Sequence, residues 1–268
     1  MYEDRPTPTD RQLRFQDHEF GMFIHFGPNT FCDQEWGEGD DPPEVFAPTD
    51  LDPKQWVEAA VEAGMRYFVF TTKHHDGFCM FDTATTDYRV THPSCPFHSH
   101  PRANIAREVF DAFRDRDFRV HCYFSKSDWH SPHYWDPDRP APDRNPNYDT
   151  AAEPDRWEQF VQFVHAQVKE LTSEYGPLMS LWLDGGQVRP PHQDIRMDEM
   201  AALARAHQPG LLMIDRTVGG AHENVLTPEQ EIPDEPLGHP WESCITLGNG
   251  WSYRPNDTYK SARHVVHM

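Results

Sequence analysis

The chain has 268 residues, of which 37% are hydrophobic and 13% aromatic, enough for a large core and against global disorder. Its 24 basic against 44 acidic side chains leave a formal net charge of −20, which repels nucleic-acid phosphates and anionic membrane surfaces. No apolar run approaches the ~20 residues that a membrane span needs.

The five cysteines are odd in number, with no C-x-x-C pair, and the start MYEDRPTPTDRQLRF lacks an apolar leader core. Reduced thiols and a cytoplasmic protein are expected. The 25 prolines predict long irregular loops.

The first apolar run, Gly21 to Gly27, reads as a strand, and a loop rich in Pro, Asp and Gly follows to about residue 50. Asp52 can cap a helix, Pro53 suits its first position and Gln55 suits a capping box. Trp56, Ala59, Ala60 and Ala63 recur at helical spacing, and Gly64 ends the helix. Tyr67 to Thr72 is near-continuously apolar, as a strand buried on both faces requires. Ile105, Val109, Ala112 and Phe113 mark a second helix, before a strand from Phe118 to Phe124. Pro154 and Gly176 bracket a third, carrying Trp157, Phe160, Val161, Val164, Val168 and Leu171. A strand from Leu178 to Leu183 follows. Met197, Met200, Leu203 and Ala204 mark a fourth helix, ended by Pro209-Gly210, before a strand from Leu211 to Asp215. Trp241 to Leu247 reads as the sixth strand, and Thr258 to His267 begins another helix.

This alternation predicts an α/β fold, with a parallel sheet and right-handed crossovers, in one domain over residues 1–268. A closed (β/α)8 barrel needs eight strands. Six are read here, because long loops follow the first three, so the fold is an incomplete barrel or an open sheet. Incompleteness predicts exposed apolar residues on the first and sixth strands.

Polar residues cluster at the C-terminal strand ends, where parallel α/β proteins bind ligands. They are His25; His74, His75 and Asp76; Tyr123, Ser125, Asp128 and Trp129; Asp184-Gly185-Gly186; Asp215-Arg216; and, in the next loop, Glu229. Singly, each has a structural role to hand: a core histidine, a turn aspartate, a local ion pair. Together, with Trp36, Trp129, Trp241 and Trp251 nearby, they suit a sugar. Rings cover its C–H face and polar groups read its hydroxyls. His25, His74, His75 and Asp184 are also a conceivable zinc set. Neighbours on an extended chain face opposite ways, however, and the H-E-x-x-H spacing is absent. No metal and no organic cofactor are expected.

The segments FGMFIHFG, Glu35-Trp36-Gly37, TTKHHDGFCMFDTATTDY, CYFSKSDWH, LWLDGG, DR, TPEQ and WESCITLGNGWSY occur in this order, within about Arg14 to Trp251. In them the chain resembles the catalytic barrel of glycoside hydrolase family 29, the retaining α-L-fucosidases. The resemblance implies a (β/α)8 TIM-like barrel with only about six of its βα units in this chain. Family members continue through two more strands and usually an appended β-sandwich. A shortened chain, or a homo-oligomer or partner chain that completes the barrel, is therefore expected.

The resemblance also assigns roles. It makes Asp184 the nucleophile and Glu229 the general acid/base, with Glu223 or Glu242 as alternatives. His25, His74 and His75 would bind fucose hydroxyls, Glu35 and Trp36 would line the same pocket with Trp251, and Tyr123 and Arg216 would stand near the reacting centre. Retention requires two carboxyl groups about 5–5.5 Å apart. A strand-end aspartate and a loop glutamate that sugar desolvates would meet that need. The implied activity is hydrolysis of terminal α-L-fucosyl linkages on an oligosaccharide or glycoconjugate. An inactive sugar-binding barrel and a zinc hydrolase are the competing readings.

Overall fold

The structure, a computed structural model, describes residues 7–140 and 143–267. It opens on a helix that the sequence reading lacks, α1 (Asp10–Gln16), where Thr9 and Gln12 cap each other reciprocally. β1 (Gly21–Ile24), α2 (Pro53–Glu62), β2 (Tyr67–Lys73), α3 (Ile105–Arg114), β3 (Arg119–Ser125), α4 (Pro154–Glu174) and β4 (Ser180–Asp184) follow. α5 (Met197–His207), β5 (Leu212–Ile214), β6 (Glu223–Val225) and α6 (Ala262–Val266) complete the order. The six strands form one sheet in sequence order, and every neighbouring pair is parallel.

Side-chain alternation separates two cores. Phe23, Val69, Tyr123, Trp182, Ile214 and Val225, drawn from all six strands, pack in one cluster. The Phe23 ring of β1 meets the Trp182 ring of β4 at 5.5 Å between centroids, which two intervening strands of a flat sheet would prevent, so the sheet is curled, with these residues inside it. The alternate residues Phe68, Phe70, Cys122, Leu181 and Met213 pack outward on the helices. Phe68 stacks on Phe113 of α3 at 4.0 Å between centroids. α1 closes the lower end. Its Phe15 enters the inner cluster, and Arg11 donates to the carbonyls of Leu178 and Met179 just before β4.

Asp52 caps α2 as expected, accepting from the backbone of Lys54 and Gln55. Of the predicted Trp56, Ala59, Ala60 and Ala63, Ala60 is on the buried face, which Pro53 and Val57 complete, while Ala59 and Ala63 are exposed. Trp56 instead reaches sideways to Phe26. The sixth strand also differs. β6 is Glu223–Val225, whereas residues 241–247 form strand pairing with the preceding segment only as isolated bridges, Leu226 to Trp241 and Glu229 to Cys244. Pro240 offers no N–H at the start of that stretch, and Glu242 turns inward to Tyr67 and Trp182. The final helix is shorter than expected, at Ala262–Val266.

The expected exposure of apolar residues on the first and sixth strands is not found, although both strands lie at the edges of the sheet. Among the described residues β6 does not pair with β1, and all of β1 is half-buried. Val225 of β6 is fully buried, beside Cys244.

Candidate active site

The C-terminal strand ends converge on a cavity of about 820 Å³. Period-two alternation aims its floor. On β3, Tyr123 and Ser125 share a face, and on β4 Trp182 and Asp184 do. The register sets Tyr123 beside Trp182 and Ser125 beside Asp184.

Asp184 is the most heavily contacted carboxylate there, with its side chain 20% exposed. Oδ2 accepts from the Tyr123 hydroxyl at 2.6 Å, and Oδ1 accepts from the Gly185 N–H at 2.7 Å. Arg216 Nε stands 3.2 Å from Oδ1, and His75 Nε2 stands 3.6 Å from Oδ2. Burial by itself would raise this carboxyl. Arg216, the Tyr123 hydroxyl and the Gly185 N–H, with His75 only when it carries charge, outweigh it and hold Asp184 below its ordinary value. Gly185 adopts φ +80°, a turn open to glycine and strained for other residues, so the chain leaves β4 sharply behind the carboxylate.

Glu229 is different. It lies in the loop beyond β6, with its side chain 41% exposed. Its carboxylate pairs with Arg216 Nη2 and accepts from Trp251 Nε1 at 3.2 Å. One guanidinium thus touches both Asp184, through Nε, and Glu229, through Nη2. Arg216 also lies over the Trp182 ring, 5.2 Å from its centroid, and its φ of +55° marks a tight turn after β5.

His74 and His75 both line the cavity, with ring centroids 4.4 Å apart. The expectation that neighbours face opposite ways fails here. β2 ends at Lys73, with a register break between Thr71 and Lys73, so both histidines lie in a turn rather than on extended chain. His25 meets His74 edge-on at 4.6 Å, and Asn29 donates weakly to its Nδ1 at 3.4 Å. Burial pushes His25 down to about 4 and lowers His74 and His75 as well, so the three rings are neutral near pH 7. Neutral imidazoles can both donate to and accept from hydroxyls. Glu35 accepts from the Trp251 N–H at 2.7 Å, tying the late loop to the early one, and Arg144 covers Trp36 at 4.8 Å.

All of the predicted site residues line this cavity: His25, Glu35, Trp36, His74, His75, Tyr123, Asp184, Arg216, Glu229 and Trp251. Several other rim candidates do not. Asp128 forms a buried pair with Lys73 at 3.0 Å, and Asp215 forms one with Lys126. Trp129 stacks on Trp135 behind His75. Both alternative glutamates lie outside the cavity. Glu223 accepts from the N–H groups of Thr217 and Gly219, and Glu242 accepts from Tyr67 and Trp182 beneath the floor.

Phe23, Trp182, Arg144 and Cys244 also line the cavity, and the sequence reading missed them. Phe23 and Trp182 stand two residues before His25 and Asp184, so strand alternation was the available signal. Arg144 had none, and Cys244 lay within the stretch 241–247 that reads as a strand. His74, His75 and Asp184 offer atoms within 4.8 Å of one another, a spacing that can hold a metal ion. Arg216 at 3.2 Å from Asp184 already supplies a cation there and would oppose a second one.

The sequence model of the alpha-L-fucosidase family matches residues 2–268. A curated relative from Oryza sativa subsp. japonica is 30% identical over 97% of this chain and 51% of its own length. The chain spans about half the length of the curated relatives it matches. Among solved structures, Alpha-L-fucosidase isoenzyme 1 from Paenibacillus thiaminolyticus is 35% identical with a TM-score of 0.78, covering 96% of this chain and 66% of that one. A mutant alpha-L-fucosidase of Lactobacillus casei, in complex with 4-nitrophenyl-α-L-fucopyranoside, is 25% identical with a TM-score of 0.74, over 97% of this chain and 86% of that one. The fold is accordingly a TIM-like (β/α) barrel of which six strands are present, and the chain belongs to the alpha-L-fucosidase family.

Proposed function

We propose that this chain hydrolyses terminal α-L-fucosyl linkages with retention, using Asp184 as the nucleophile and Glu229 as the acid/base. The observation that carries this reading is the meeting of both carboxylates on Arg216, inside a cavity lined by three neutral histidines. The substrate complex of the Lactobacillus casei relative supports an α-L-fucoside as the ligand class.

Asp184 stays ionised because its donors outweigh its burial, and β4 fixes its direction. It attacks the anomeric carbon while Glu229 gives a proton to the departing oxygen. A covalent fucosyl–Asp184 ester forms with inverted configuration. Glu229, now a base, takes a proton from water, and the water oxygen displaces Asp184 in a second inversion. Sugar entering between the carboxylates takes over contacts that Arg216 now makes. Phe23, Trp36, Trp182 and Trp251 offer apolar surface for the ring and the 6-methyl group. The ligand is a fucosylated oligosaccharide or glycoconjugate end.

An aryl α-L-fucoside assay tests the reading. Turnover should fall by about 10³-fold or more in Asp184→Ala, the scale on which removing a reacting group acts. Wild-type turnover that Asp184→Ala leaves unchanged would overturn it.

A further inference from the structure

We infer that Ser125, at the end of β3, is a positioning residue that fixes the tautomer of His75 and so keeps the imidazole from capping Asp184. The inference rests on the role proposed above for Asp184.

The argument is a proton count. Ser125 Oγ lies 2.8 Å from the carbonyl oxygen of Ser127 and 2.7 Å from His75 Nδ1. The carbonyl carries no proton, so the Ser125 hydroxyl donates to it. With its single proton so used, Ser125 can only accept from His75, and Nδ1 must carry the hydrogen. The reverse assignment, with Ser127 Oγ donating to Nδ1 from 3.0 Å, would leave two bare lone pairs in contact at 2.7 Å. Ser127 Oγ is instead free to donate to Ser125 Oγ, at 3.0 Å. Ser125 and Ser127 are fully buried, so water does not enter this count.

His75 is held neutral, its burial outweighing the pull of Asp184. With the proton on Nδ1, Nε2 presents a lone pair, 3.6 Å from Asp184 Oδ2 and with no hydrogen between them. Two acceptors facing each other form a slot for a donor, which a sugar hydroxyl supplies to Nε2. The other tautomer would point Nε2–H at Asp184 Oδ2, adding a second donor to the oxygen that Tyr123 already engages and lowering the carboxylate's availability for attack. β3 makes the arrangement rigid. The Lys126 N–H donates to the Asp184 carbonyl at 2.9 Å, so the segment holding His75 also holds the nucleophile's backbone.

The test is imidazole ¹⁵N NMR on the ligand-free protein, with His75 assigned by its loss in His75→Gln. The expected spectrum has a protonated Nδ1 and a bare Nε2 for His75 near pH 7. Ser125→Ala should move His75 toward the Nε2–H form, lowering kcat about tenfold or more while KM changes less than about threefold. A wild-type His75 protonated at Nε2 would overturn the inference, and so would a Ser125→Ala protein that keeps both the Nδ1–H form and full kcat. Should Ser125→Ala fail to fold, the wild-type spectrum decides. A wild-type preparation that cleaves no α-L-fucoside would remove the proposed function and leave the tautomer measurement standing.

Discussion

Tyr123 donates its hydroxyl to Asp184 Oδ2 at 2.6 Å, across the boundary between β3 and β4. The bond follows from register, because Tyr123 lies beside Trp182 and its ring reaches forward along the sheet to the next inward residue. It is one of the contacts that keep a half-buried carboxylate ionised. Tyr123→Phe removes the donor and keeps the ring. Asp184 should then bind its proton more tightly, and the acidic limb of kcat/KM should shift to higher pH. A hydrogen bond to a charged group is worth about 1.5–3 kcal/mol, so kcat/KM at neutral pH should fall roughly tenfold to a hundredfold. A pH–rate profile on an aryl fucoside checks both.

Arg216 is placed to be irreplaceable by another cation. Its planar group meets Asp184 with Nε and Glu229 with Nη2, two donors held at a fixed spacing and angle that a flexible ammonium does not reproduce. Arg216→Lys should keep the charge and still lose about a hundredfold in kcat/KM, the loss of one charge-assisted contact. Steady-state kinetics of Arg216→Lys beside wild type gives the answer.

Three nearby glutamates should separate cleanly. Glu229→Gln should cut turnover severely for poor leaving groups and less for an aryl leaving group that needs no proton. Burial pushes the Glu242 carboxyl up, against the donors Trp182 and Tyr67, and its place is under the cavity floor. Glu242→Gln should cost about 1–3 kcal/mol of stability through imperfectly paired donors, with kcat retained within a fewfold. Glu223→Gln should behave similarly, because Glu223 binds the Thr217 and Gly219 N–H groups rather than lining the cavity. Thermal melts and a leaving-group series discriminate these outcomes.

Much of this site was legible because strands impose direction. His25, Tyr123 and Asp184 follow apolar runs whose alternation fixes which way each end points. The same alternation carries Phe23 and Trp182 to the cavity, and only the search for polar residues passed over them. β6 was missed for a physical reason. Its three residues ENV bury a glutamate whose carboxylate satisfies the turn at Thr217 and Gly219, so no apolar run marks it. Residues 241–247 mimic a strand, since Cys244 and Thr246 point inward at period two, yet their backbone pairs only at isolated steps. α1 was hidden in a polar start, and only Thr9 with Gln12 announces it. The two histidines share one cavity because a register break, invisible in sequence, lifts them off the strand.

Asp76 gives a pH signature independent of turnover. It is 1% exposed, its Oδ2 has no partner among the described residues, and burial raises it to about 7. The folded state therefore holds a proton that the unfolded state releases above about 3.9. This group contributes stability at low pH that is lost as pH rises through 7. Asp76→Asn cannot ionise and should gain on wild type by about 2 kcal/mol between pH 5.5 and pH 8. Urea denaturation at the two pH values measures the difference.

The claim that a strand-fixed aspartate attacks the anomeric carbon is most directly tested by trapping. Incubation with a fluorinated fucosyl fluoride, which slows breakdown of the ester more than its formation, should add one fluorofucosyl mass to the chain as the anomeric fluoride departs. Peptide mapping should place the label on Asp184, and Asp184→Ala should take up none. Label on another residue, or steady hydrolysis by Asp184→Ala at the wild-type rate, would contradict the account.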